Sequence, residues 1–84
     1  RLRGALSDRA CGVLYQMVQV ALFGSSPEVT LRDIAAYLEV TPQSARKYAL
    51  ELERANFVEA VSLRPLKFKL SDDGKEAFGI EDLA

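Results

Sequence analysis

The chain has 84 residues, enough for one domain with a thin core, since a domain of this size buries only about 60% of its unfolded surface. Apolar residues make up 49%, which predicts a folded globule rather than a disordered tail. Histidine is absent and Cys11 stands alone, which removes imidazole-dependent catalysis, an internal disulfide and a His/Cys zinc site.

No Gly-rich phosphate loop is present, and the carboxylates form no recognisable acid–base pair, so a binding module without cofactor or metal is expected rather than an enzyme. One cysteine fits a reducing cytoplasm. A first residue Arg1 in place of methionine suggests a piece of a longer protein. The net charge of −1 is unevenly spread. Residues 1–40 balance four basic against four acidic side chains, residues 41–69 carry a net +3, and residues 70–84 a net −4.

In chain order, Arg1 and Arg3 before the apolar run Ala10–Phe23 imitate a secretory signal. Asp8, Gln16 and Gln19 interrupt the segment, and the run is too short to span a membrane, so no membrane partner is expected. Ser7 or Asp8 caps a first helix over about 8–23, which Gly24 ends, and "GSSPE" is a loop. Val29 suits a very short strand. Thr30 caps a second helix with Asp33 as capping-box partner, and Ile34, Ala35 and Leu38 mark its buried face. In "LEVTP" that helix stops, Val40 turns inward, Thr41 becomes a new N-cap, and Pro42 takes the first helical position. A third helix then runs to about Ala55, with Asn56 in the left-handed region, so residues 30–55 form two helices joined by a tight turn.

After Asn56 the period changes. "FVEAV" and "KFKL" read as strands around the turn "SLRPL". Phe68 and Leu70 point one way and Lys67 and Lys69 the other, which predicts a dry face and a wet, basic face. Ser71 caps a closing helix over about 72–78, with Asp72 and Asp73 at its positive end.

Three segments, "LRDIAAYLEVTPQSARKYAL", "ELERANFVEA" and "FKLSDDGKEAF", together resemble the winged helix-turn-helix domains of MarR-, ArsR- and PadR-like transcription regulators, over roughly Thr30 to Phe78. The resemblance implies a single α+β winged-helix domain over 1–84. It would have a three-helix core, a two- to three-stranded antiparallel wing over about 57–70, and a short C-terminal helix. Double-stranded DNA is the implied partner, with a role in transcription regulation and a cytoplasmic, nucleoid-associated location. Gln43, Ser44, Arg46 and Lys47 match the positions that usually meet bases and phosphates. Glu39 departs from the pattern, because glycine often holds that turn position and a positive φ costs a longer side chain on the order of 1 kcal/mol.

On a helical wheel, Ala45, Tyr48, Ala49, Leu52 and Ala55 form the core face of the third helix. Gln43, Arg46, Lys47, Leu50 and Arg54 form the opposite, solvent-facing arc, of a size that enters a major groove about 12 Å wide. Arg46 can read guanine and Gln43 adenine; Thr41 and the helix N-terminus can hold a phosphate; Arg64, Lys67 and Lys69 can reach phosphates or a minor groove. The plainer alternative is a solvated basic surface. Tyr15, Phe23, Tyr37 and Tyr48 read as core or core-edge residues before base-stacking ones, and Cys11 as a buried small hydrophobe before a redox sensor.

The first helix carries two apolar stripes. Ala10, Val13, Leu14, Met17 and Ala21 form one; Cys11, Tyr15, Val18 and Leu22 form the second; and Asp8, Arg9, Gly12, Gln16 and Gln19 form the wet strip. The apolar arc spans about 220°, wider than the roughly 100° of an ordinary surface helix. A homodimer mate or the remainder of a longer chain would cover the second stripe; terminal segments folding back would do the same. Leu50 lies among basic residues, where it can meet a thymine methyl or anchor a protein partner. With these anchors the alternative to DNA binding is a protein-interaction module in a larger assembly.

Overall fold

In the computed structural model, which describes residues 6–80, α1 (Asp8–Phe23) starts where Ser7 Oγ accepts the Ala10 N–H. β1 (Val29–Thr30) leads into α2 (Leu31–Leu38), which opens with both halves of a capping box between Thr30 and Asp33. Glu39 then adopts a left-handed conformation (φ 58°, ψ 47°), and the Val40 N–H reaches back to Ala35 O. This stop needs no glycine, but it places a β-carbon where L-residues are disfavoured. α3 (Pro42–Arg54) begins three residues later at the Thr41 cap. It ends with Asn56 left-handed (φ 68°) while the Phe57 N–H bonds Leu52 O and the Asn56 N–H bonds Glu53 O.

β2 (Val58–Leu63) and β3 (Leu66–Leu70) form a hairpin whose turn is only Arg64 and cis Pro65, tighter than the five-residue turn expected. Val61 is an extra residue in β2, between the pairs Ala60–Phe68 and Ser62–Lys67. β1 pairs with β3, so the antiparallel sheet has the order β1-β3-β2. α4 (Asp72–Ala77) follows at the Ser71 cap. The architecture is therefore α+β, with four helices and a three-stranded antiparallel sheet among the described residues.

The core lies between the helices and the inner face of the sheet. Met17 and Val13 from α1, Ile34 from α2, Leu52 from α3, and Val29, Val58 and Phe68 from the strands are its largest fully buried side chains. Alanines 45 and 49 line the buried side of α3 with no accessible surface, so the α3 backbone approaches its neighbours closely. Phe68 and Leu70 face inward as the alternation requires.

Several expectations about α1 are overturned. Gln16, placed on the wet strip, is buried, and its Nε2 donates to Asp33 O at 3.2 Å. Gly12, placed on the same strip, lies against Leu38, where an added β-carbon would sit 3.2 Å from Cδ2. Gly12 and Gln16 therefore run along α2 rather than facing water, whereas Arg9 stays exposed as expected while its guanidinium reaches Leu38 O. That rotation turns Cys11 outward, and it is exposed rather than buried. Tyr15, Phe23 and Tyr37 are exposed too, and only Tyr48 packs partly against the core. Gly24 ends α1 in an extended conformation; it is needed because a β-carbon would meet Val20 O at 2.7 Å. The terminal segments offered as the alternative cover for α1 include residues 1–5 and 81–84, which lie outside the described residues.

Candidate functional site

The site is built on α3. Thr41 Oγ1 accepts the Ser44 N–H at 3.2 Å and donates to Ser44 Oγ at 3.2 Å, so both hydroxyls serve the helix start. Pro42 at the first turn adds no unsatisfied N–H. With Ala45, Ala49 and Leu52 buried, the helical period turns Gln43, Arg46, Lys47, Leu50 and Arg54 outward together. These five residues line one concavity of about 360 Å³. No carboxylate lines it, and its one apolar side chain, Leu50, is half-buried between the cations. The Lys47 ammonium lies 6.0 Å from the centre of the Tyr48 ring.

Glu51, one turn beyond Lys47, is held toward α1. Its carboxylate accepts the Ser7 N–H at 2.7 Å and the Ser7 hydroxyl at 2.9 Å. The Ser7 N–H, then the Ser7 hydroxyl, and to a lesser degree the Lys47 charge hold this carboxyl below the ordinary glutamate range. The start of α1 and the middle of α3 are thereby tied together.

A second set of bonds fixes where the hairpin leaves α3. Ser71 Oγ donates to Asn56 O at 2.7 Å and accepts the Gly74 N–H at 2.9 Å, while the Ser71 N–H donates to Phe57 O at 3.0 Å. The Asn56 carboxamide donates to the Asp73 carboxylate. Gly74 fits because a β-carbon there would sit 2.1 Å from Phe57 O.

Of the expected nucleic-acid contacts, the structure gathers Gln43, Arg46, Lys47 and Arg54 in one place, with Thr41 and Ser44 at the head of the same helix. Arg64 is exposed in the hairpin turn. Lys67 and Lys69 do not join the concavity. They lie on the outer sheet face, where Lys67 sits 3.9 Å from Glu28 and Lys69 3.9 Å from Glu59. The basic sheet face expected from the strand alternation is therefore compensated by carboxylates. The expected partner residues also separate: Cys11, Tyr15 and Leu22 are exposed and Val18 half-buried on α1, whereas Leu50 belongs to the α3 concavity.

A cleft of about 500 Å³, lined by Thr30, Leu31, Arg32, Pro65 and Leu66, was not foreseen. It exists because Thr30 pairs with Lys67, which sets the start of α2 beside the hairpin turn. The strand character of Val29 was visible in the sequence, but its pairing partner was not.

Among the described residues, no helix is long and apolar enough to cross a membrane. Comparisons with protein-family models, with curated proteins and with solved structures return no match.

Proposed function

We propose that this chain is a winged-helix domain that binds double-stranded DNA, with α3 in the major groove and the β2–β3 hairpin as the wing. The observation that carries the reading is the outer face of α3, where three cations and an amide project together and no acid intervenes. Arg46 suits the paired acceptors of guanine, Gln43 the acceptor and donor of adenine, and Leu50 a thymine methyl. Lys47 and Arg54 supply phosphate contacts. Anchoring of Glu51 by Ser7 supports the same reading, because it draws one of the two α3 carboxylates toward α1. Arg64 at the turn reaches a flanking groove, whereas Lys67 and Lys69 would first have to leave Glu28 and Glu59. Such exposed pairs are worth about 0–1 kcal/mol, so a duplex can displace them.

In this reading the chain regulates transcription or reads DNA for a larger protein, and carries out no turnover. The exposed apolar strip of α1, with Tyr15 59% and Phe23 79% accessible, supports assembly as a symmetric dimer on a palindromic site with half-sites about 34 Å apart.

The test is titration of the chain with a random pool of duplexes at low and at moderate salt. Binding is expected to weaken steeply with salt, and Arg46→Ala combined with Lys47→Ala is expected to abolish it while leaving the thermal melt unchanged. Absence of binding at low salt, or full binding by the double variant, would contradict the proposal.

A further inference from the structure

The geometry points to a second DNA contact that rests on this reading: the cleft between the start of α2 and the hairpin turn seats the sugar–phosphate backbone, and Arg32 is its phosphate-binding cation. Arg32 is the one charged side chain lining the cleft. The opposite wall is Pro65, directly preceded by the exposed Arg64. Among the described residues, neither arginine makes an ion pair or a side-chain hydrogen bond, so the cleft carries one unpaired guanidinium, Arg32, with the unpaired and exposed Arg64 next in sequence to its far wall. The remaining lining is aliphatic, from Leu31 and Leu66. Thr30 offers little to a ligand, since its N–H and its hydroxyl are both engaged with Asp33.

A fork of donors beside an aliphatic trough matches a chain of alternating phosphates and deoxyriboses. Guanidinium takes the phosphate oxygens, and the sugar's carbon face meets leucine and proline. Arg32 is the one charged group a small polar ligand would meet there. Placement agrees: α2 separates the cleft from the start of α3 by its own length, about 12 Å, well inside one turn of B-DNA. The contact therefore adds affinity and fixes orientation, and carries no base preference.

The experiment measures affinity against salt for the unaltered chain, Arg32→Ala, Arg32→Lys and Arg46→Ala on the same panel of duplexes. For Arg32→Ala the slope of log affinity against log salt is expected to shrink by about 0.9, so that its disadvantage narrows about 3.5-fold between roughly 50 and 200 mM salt. Its ranking of duplexes should match that of the unaltered chain, Arg32→Lys should keep the slope, and Arg46→Ala should reorder the ranking. An unchanged slope in Arg32→Ala, or a reordered ranking, overturns the cleft assignment while leaving the α3 reading intact. No binding by the unaltered chain at any salt overturns both.

Discussion

Glu39 holds the most strained backbone position of the α2–α3 turn. At φ 58° its β-carbon crowds the backbone, at a cost of about 1–2 kcal/mol that glycine would avoid. Glu39→Gly is therefore expected to raise stability, by about 0.5–1 kcal/mol after the added flexibility of the unfolded chain is counted, as a higher urea midpoint with unchanged slope. A lower midpoint would contradict this account of the turn. Gly74 stands at the opposite extreme, because no side chain fits against Phe57 O. Gly74→Ala is expected to cost about 1–3 kcal/mol by the same measurement, and a neutral result would mean that the start of α4 does not press on the hairpin as described. Residues of this kind were legible where chemistry is local. Thr30 with Asp33, Thr41 with Pro42, and Asn56 announce their roles within four residues. Gln16 and Cys11 were not legible, because their burial depends on how α1 is rotated against α2. Gly12 decides that rotation by admitting Leu38, and nothing within α1 reveals it.

At the scale of elements, α3 is held at both ends and at its middle. Thr41 caps the start, Asn56 turns the end, and Ser7 clasps Glu51 between them. The Glu51 carboxyl is depressed in the folded chain, so its contribution is complete above the ordinary glutamate value, about 4.3, and is lost as pH falls through the lower folded value. Unfolding midpoints followed from neutral to acid pH should therefore fall more steeply below about pH 4.3 in the unaltered chain than in Glu51→Gln. Parallel curves would show that Ser7 does not distinguish the charged carboxylate. The outward face of α3 was legible from its 3.6-residue period, since its core alanines and Leu52 fix its orientation. The charge of the sheet was legible only in part: alternation correctly sent Lys67 and Lys69 to the wet side, but Glu28 and Glu59 reach them through strand pairing that links distant parts of the chain.

At the scale of the molecule, two features of opposite chemistry stand out. One is the cationic outer face of α3, and the other is the uncharged strip of α1 bearing Tyr15, Leu22 and Phe23. The strip is proposed as the dimer contact. Sedimentation equilibrium is expected to show a dimer that Tyr15→Glu with Leu22→Glu converts to monomer; a monomer at every concentration would contradict it. The central claim concerns the other face, and it is tested most directly by amide chemical-shift mapping as a short duplex is added. The account predicts that the largest shifts fall on residues 42–54, with a second group at Arg32 and around Arg64. Shifts confined to the exposed strip of α1, or no shifts at low salt, would contradict it.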